Sequence, residues 1–254
     1  MKLEILNLSF NYDSAKTLEN VSLEVNKGEI LGVIGPNGSG KSTFFSLILG
    51  DAEPSSGEIR VNKNTSIGYL PQESKFSSHN TVISELTEGE ARIIKLKKEK
   101  ADLEDSGNAA SARYGEILHD LEALGYFGLE HKAKKILMGL GFKERDFTRK
   151  ITELSGGWQM RVLLAKLLTY HYDLLLLDEP TNYLDLNAAL WLKDFLGSFQ
   201  GTFIMISHDR VFLTDVTNYT LILENGVITK VSGNYQHYEE IKRERRIHRK
   251  VPRG

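Results

Sequence analysis

Residues 29–49, EILGVIGPNGSGKSTFFSLIL, constrain the fold more than any other stretch of this chain. A nearly continuous apolar run from Glu29 to Ile34 reads as a buried strand, a glycine-rich turn follows, and Lys41 to Leu49 carries helical spacing. Gly35, Gly40, Lys41 and Ser42 fit G-x-x-x-x-G-K-[ST], the phosphate-binding loop. Backbone N–H groups bared by Gly38 and Gly40, together with the start of the following helix, offer donors and a positive dipole end to a polyphosphate. In that geometry Lys41 reaches the β- and γ-phosphates as a point charge, and Ser42 sets its hydroxyl on Mg²⁺. Pro36, Asn37, Ser39 and Thr43 complete the same cradle. A glycine-rich turn without a ligand is the bland alternative, and the full pattern between a strand and a helix outweighs it.

A magnesium nucleotide also needs an acid at the end of a neighbouring buried strand, and DLLLLDEP supplies one: Asp178 follows four leucines. An ionised carboxylate in so apolar a setting is costly unless a cation pairs with it, which a hydrated Mg²⁺ does. Glu179, next in the chain, is placed to polarise a water for in-line attack on the γ-phosphoryl group. A second anion-binding geometry lies in LSGGWQMR, Leu154 to Arg161, where a serine and two glycines open a helix. There Ser155 is expected to cap while Gly156 and Gly157 allow close backbone approach. Two phosphate-type sites in one chain suggest that the second closes on a nucleotide held elsewhere.

The rest of the chain frames these motifs. With 254 residues and 41% hydrophobic content the chain can bury one sizeable core or two modest ones, and a net charge of −2 leaves any nucleic-acid or membrane affinity to local patches. The absence of cysteine excludes disulfides and thiolate metal sites and suits a reducing compartment. No span approaches the roughly 18 apolar residues of a bilayer crossing, and the start lacks an export signal, so a soluble, cytoplasmic protein is expected. The final VPRG matches a protease-site remnant and is set aside. Alternation over Leu3–Phe10 and Leu18–Val25 predicts antiparallel strands, and Gly57–Val61 and Ile67–Leu70 two more. From Val82 to Leu124 the apolar spacing is helical, broken at Asp105–Asn108, which predicts two helices in an antiparallel hairpin. Arg92, Lys95, Lys97, Lys98 and Lys100 could form an RNA-binding patch there, but interleaved Glu99, Asp102, Glu104 and Asp105 favour a solvated helix face. After Ser155 come a helix to about Thr169, the strand Leu174–Leu177, a helix from about Asn187 to Leu196 and the strand Thr202–Ile206. A hairpin about Asn225-Gly226 and a charged helix over Tyr235–Lys250 close the chain.

The ordered set GPNGSGKST, Gln72 after IGYLP, LSGGW, LLLLDEPTNYLD and ISHD resembles the nucleotide-binding domain of the ATP-binding cassette (ABC) superfamily over nearly the whole chain. The resemblance implies that Tyr12 stacks on adenine, Gln72 touches Mg²⁺ and the attacking water, and His208 contacts the γ-phosphate. It also implies that Asp185 crosses the interface between two cassettes, each of which offers its Ser155 and Gly157 to the other's ATP. Trp158 in the signature, Asn182 after DEPT, the long stretch from Gln72 to Ser155 and GNYQHYEE before a basic helix are similar to the ABC-F subfamily. Its members are soluble twin-cassette proteins that act on the ribosome. One cassette is present here where that subfamily has two, so the partner is expected from a full-length chain or a second copy, and the isolated half is expected to hydrolyse ATP weakly.

The expected fold is thus α/β: an ABC-type nucleotide-binding domain with a P-loop core, an antiparallel β subdomain and an inserted helical subdomain. Its expected divisions are residues 1–80 and 154–234 for the ATP-binding core, 81–153 for the helical subdomain with a candidate arm, 235–250 for the start of an interdomain linker, and 251–254 for the remnant. The expected activity is Mg²⁺-dependent ATP hydrolysis, with cassette closure acting on ribosomal RNA or tRNA. The rival reading is the ATPase subunit of a membrane transporter gripping a permease loop.

Overall fold

A computed structural model describes residues 2–12, 15–73, 79–88 and 91–250, apart from the side chains at 2, 12, 15, 16, 91 and 244–250. The Tyr12 ring and residues 251–254 therefore lie outside the described parts. The chain folds as two compact units, one of residues Met1–Gln72, Tyr172–Asn182 and Lys193–Gly254, the other of Glu73–His171 and Tyr183–Leu192.

The first unit starts with β1 (Lys2–Tyr12), β2 (Ala15–Asn26), β3 (Ile30–Ile34), α1 (Lys41–Leu49), β4 (Ser56–Val61) and β5 (Ile67–Leu70). It continues with β6 (Leu174–Asp178), the end of α7 (Leu186–Gly197), β7 (Thr202–Ile206), α8 (Arg210–Val216), β8 (Tyr219–Glu224), β9 (Val227–Ser232) and α9 (Tyr235–Lys250). Alternation in the first two strands places Leu3, Ile5, Leu8, Val21 and Val25 on a buried face of a three-stranded antiparallel sheet ordered β2-β1-β4. The second sheet is ordered β5-β6-β7-β3-β8-β9, parallel except for the β8–β9 hairpin. Strands covered on both faces lose alternation, which is why Leu174 to Leu177 are uniformly buried. Phe44 and Phe45 of α1 are wholly buried against this core and fix the helix that follows the glycine-rich turn. The carboxyl ends of β3 and β6 carry, respectively, the glycine-rich turn and Asp178, the edge at which open α/β sheets bind ligands.

The second unit is helical: α2 (Val82–Thr87), α3 (Ala91–Asp105), α4 (Ala112–Ala123), α5 (Tyr126–Gly139), α6 (Gly156–Thr169) and the first turns of α7. The single helix expected from Val82 to Asp105 is two. Thr81 and Ser84 form a reciprocal capping box that starts α2, which ends at Thr87, so the apolar spacing runs across a break. α3 and α4 pair as the expected hairpin. Lys97 and Lys100 are ion-paired with Glu88 at 2.9 Å and Glu104 at 2.6 Å, and Arg113 reaches Glu99 at 2.7 Å, which is the solvated, charge-laced face. α5 lies beyond the two helices expected here, and Leu129, Ala133, Ile136 and Leu137 supply its buried stripe.

α6, expected with the ATP-binding core, belongs to this unit because its buried side chains pack there. Lys166 pairs with Glu85 of α2 at 2.6 Å, and Lys132 of α5 donates to the carbonyl of Thr169 at 2.6 Å. That second contact places an ammonium at the negative end of α6. Among the described residues no helix is long and apolar enough to cross a membrane.

Candidate nucleotide site

The turn between β3 and α1 is shaped by glycines at its end and leaves α1 without a side-chain cap. Gly40, at φ +98°, occupies the N-cap of α1 and has no side chain with which to cap it, so the first helical N–H groups await an external acceptor. A Cβ on Gly40 would also come within 2.9 Å of Thr17 Cγ2. Gly38 sits at φ +74° in open space, so its conformation, not crowding, calls for glycine. Lys41 Nζ donates to the carbonyls of Gly35 and Pro36, both at 2.9 Å, an arrangement that parks the cation inside its own loop. Burial pushes its pKa down, and the neighbouring charges of Glu179 and Asp178 oppose that shift.

A cavity of about 510 Å³ opens here, lined by Thr17, Asn37, Gly38, Gly40, Lys41, Ser42, Thr43, Gln72, Asp178, Glu179, Ile206 and His208. Ten of the expected site residues are thereby brought round one space. Gly35 and Pro36 instead line a smaller cavity behind the loop, and the Ser39 hydroxyl is buried without a hydrogen-bond partner.

Within the main cavity Ser42 Oγ donates to Asp178 Oδ2 at 3.2 Å. One hydroxyl and one carboxylate suit Mg²⁺, which keeps waters and phosphate oxygens for its other positions. Correspondingly, no cluster of three or more acidic, histidine or cysteine ligands occurs among the described residues. Asp178 is buried, which raises its carboxyl pKa, while the Ser42 hydrogen bond and the charge on Lys41 pull the other way.

Glu179 is the strained residue of the site. Its φ of +53° lies in the left-handed region, which costs a non-glycine residue about 1–3 kcal/mol and persists where the surroundings hold it. Its N–H donates to Ile206 O at 2.9 Å, and its Oε2 accepts the His208 N–H at 3.2 Å. Oε1 is buried with no hydrogen-bond partner, and His208 Nε2 lies 3.4 Å away. Burial raises the Glu179 pKa, and the residue lines the cavity with a carboxylate oxygen that lacks a hydrogen-bond donor, which suits a general base.

Ser155, Gly157 and Asp185 lie in the helical unit and form a separate cluster. Ser155 holds the N-cap position of α6 but makes no capping hydrogen bond, contrary to expectation. The preceding turn is held instead by Gln159, whose Nε2 donates to the carbonyls of Ile151 at 3.2 Å and Leu154 at 3.1 Å. A Cβ on Gly156 would meet nothing within 4 Å and one on Gly157 would meet Tyr183 at 3.4 Å, so packing alone does not require both glycines.

Asp185 caps α7 through Ala188 N–H at 3.1 Å and pairs with Arg161 Nη1 at 3.0 Å. Arg161, to which the motifs assign no role, is central to this cluster. Buried, it also donates to Tyr183 O at 2.7 Å and Leu140 O at 3.0 Å and stacks 4.4 Å from the Trp158 ring, tying the signature helix to the Asp185 turn. The signal for it was a lone cation within the apolar run MRVLL.

A strand, a glycine-rich amide cradle, a lysine and a hydroxyl–carboxylate pair at a parallel sheet's carboxyl edge define a P-loop nucleotide-binding domain. The ABC transporter family model matches residues 18–182, and the chain belongs to that family as an ATP-binding cassette. It is 36% identical over 235 residues to the "Probable ATP-binding protein YheS" of Haemophilus influenzae, covering 92% of this chain and 36% of the relative. It is 34% identical over 249 residues to ABC transporter F family member 5 of Arabidopsis thaliana, covering 94% and 36%. To the uncharacterized ABC transporter ATP-binding protein YfmM of Bacillus subtilis it is 34% identical over 247 residues, covering 94% and 48%. These likenesses support the F branch, and the chain spans less than half the length of each of these relatives. An ATP-binding subunit of an ABC transporter superposes with a TM-score of 0.71 at 22% identity, covering 96% of this chain and 93% of that one, and bears on the fold. The cbiO1 protein of Clostridium perfringens superposes at 0.63 and 23% identity, covering 99% and 96%.

Proposed function

We propose that this cassette hydrolyses ATP with Mg²⁺ as one half of a cytoplasmic, ABC-F-type switch that acts on the ribosome. The observation that carries the hydrolytic part is the strained, buried Glu179 beside the Lys41–Ser42 cradle, with one oxygen fastened to the His208 amide and the other, 3.4 Å from His208 Nε2, without a hydrogen-bond donor. When bound, Mg²⁺-ATP supplies the phosphoryl group that water attacks. Glu179 Oε1 then takes the proton of that water, and Lys41 leaves the Gly35 and Pro36 carbonyls to balance phosphate charge. Asp178 and Ser42 would hold the metal, Gln72 would orient the water and His208 would contact the γ-phosphate; the adenine contact expected of Tyr12 falls on a side chain outside the described residues. Ser155, Gly157 and Asp185 serve the nucleotide of a second cassette, from the same full-length chain or a second copy. Pairing positions the α3–α4 hairpin and α9 on ribosomal RNA or tRNA, and the greater affinity of ATP for the closed pair drives it.

Likeness to the Arabidopsis F-family member and Trp158 in the signature support the ribosomal part; the family's name and the transporter subunits of the same fold support the rival, a permease-coupled ATPase. The deciding experiment sediments the full-length protein through sucrose with Mg²⁺-ATP and scores ribosome and membrane fractions. Co-migration with ribosomes that Glu179→Gln strengthens is expected. Recovery with a membrane permease overturns the ribosomal role.

A further inference from the structure

The cavity behind the phosphate loop has no part in the mechanism above. It encloses about 240 Å³ and is walled on one side by Gly35, Pro36 and Lys41 and on the other by Tyr235, Tyr238 and Lys242 of α9. α9 is fastened there twice to α8. Arg210, the first residue of α8, places its guanidinium 5.2 Å from the centre of the Tyr235 ring, and Asn234 Nδ2 donates to Thr214 O at 2.9 Å. The seat is well made: Tyr235 is buried, its hydroxyl donates to Glu239 Oε1 at 2.8 Å, and Asn234 Oδ1 caps α9 by accepting the His237 N–H at 3.1 Å.

Arg210 stands two residues from His208, on a tight turn. Asp209 N–H donates to Ser207 Oγ at 3.0 Å, and Asp209 Oδ1 caps α8 by accepting the Phe212 N–H at 2.9 Å. On the inner side of this turn the His208 N–H holds Glu179 Oε2. The turn thus carries the Glu179 contact on one side and the Arg210–Tyr235 seat of α9 on the other.

We propose that Arg210 and Tyr235 form a joint through which α9 positions the His208 turn, so that the seating of α9 and the fastening of Glu179 are a single equilibrium. Arg210 is a positioning residue in this scheme, and α9 reports the state of the site. By linkage, whatever α9 does to the turn, occupancy of the cradle does to α9. The inference rests on the cradle being an ATP site and deepens that reading.

The test compares Arg210→Gln and Tyr235→Leu, which abolish the stack, with Arg210→Lys and Tyr235→Phe, which keep a cation and a ring. Arg210 is exposed, so its replacement leaves the core intact. In this chain, amide hydrogen exchange over residues 236–243 is expected to change on adding Mg²⁺-ATP in the wild type and in the two conservative variants. In the two disruptive variants it is expected to be faster without nucleotide and unresponsive to it. In the full-length protein those two should lower kcat about threefold to tenfold, the scale of a single cation–π contact, while ATP affinity by fluorescent-analogue titration holds within about twofold. Normal ATP binding with a nucleotide response of α9 that survives loss of the stack overturns the joint alone. Failure of the wild type to bind Mg²⁺-ATP overturns the site assignment and the joint together.

Discussion

Two adjacent acids at the end of β6 share one environment and are put to different uses by what each touches. Asp178 is answered by Ser42, whereas Glu179 keeps one oxygen unanswered, so the first is suited to a cation and the second to a proton. Replacing Glu179 by Gln keeps the shape and the His208 contact but removes the proposed base. ATP turnover of the full-length protein should fall about 10²–10⁴-fold with nucleotide binding retained, as measured by phosphate release against equilibrium titration. The same change should stabilise the nucleotide-free chain. Burial raises the folded-state pKa of Glu179, so the folded state binds the proton more tightly than the unfolded, and ionisation weakens folding above that pKa. Glu179→Gln should therefore raise Tm at neutral pH, and the advantage should shrink as pH falls through the raised pKa. An advantage independent of pH would show that the carboxylate is not the source. Gly40→Ala should move the other way: φ of +98° and the approach to Thr17 at 2.9 Å predict a loss of about 1–2 kcal/mol in denaturant melts.

At the scale of elements, what could be read in advance was whatever a local pattern specifies. β3, α1, β6 and the β8–β9 hairpin announce themselves because burial on both faces, a glycine turn or Asn225-Gly226 leaves a mark within a few residues. The break between α2 and α3 did not, since the apolar spacing of Ile83, Leu86, Ile93 and Leu96 continues across it, and a capping box shows its worth once the chain leaves the helix. Arg161 was illegible for a different reason. Two of its three hydrogen-bond partners are backbone carbonyls, at Tyr183 and Leu140, and a carbonyl has no letter in a sequence. Ser155 was read by its residue type as a cap, while Gln159 took over the adjoining turn. The Glu85–Lys166 pair was hidden likewise, and it joins α2 to the signature helix at 2.6 Å with Glu85 nearly sequestered. Lys166→Met should leave that carboxylate without its cation, though Asn80 Nδ2 still donates to Oε2 at 3.1 Å, and destabilise the chain by about 2–3 kcal/mol, less than the roughly 3–5 kcal/mol of a wholly dry pair because Lys166 keeps 23% exposure. Adding Glu85→Leu should restore most of the loss. A double-mutant cycle in urea measures the coupling, and additive losses would mean that the pair is spectator to α6.

At the scale of the molecule, the two kinds of anion site differ in how complete they are. The cradle has lysine, amides, a hydroxyl and two carboxylates around one cavity; the α6 terminus offers amides and an uncapped Ser155 hydroxyl, with the nearby Asp185 occupied by Arg161 and Ala188. Such a terminus binds a phosphate weakly by itself and adds much to a phosphate already anchored by another cradle, because the second contact is then intramolecular. The asymmetry fits the proposed paired switch, in which each cassette would hold its own ATP and complete its neighbour's. Glu179→Gln, by blocking turnover, should make this chain self-associate in sedimentation velocity with Mg²⁺-ATP and not with Mg²⁺-ADP. Adding Ser155→Glu to that variant sets a carboxylate against the neighbour's γ-phosphate. Association should weaken at least about tenfold, or ~1.4 kcal/mol, while ATP binding by the single chain, which uses the cradle alone, stays unchanged. Equal association with and without that carboxylate would mean that the α6 terminus does not meet the nucleotide, and the paired arrangement would fail with it.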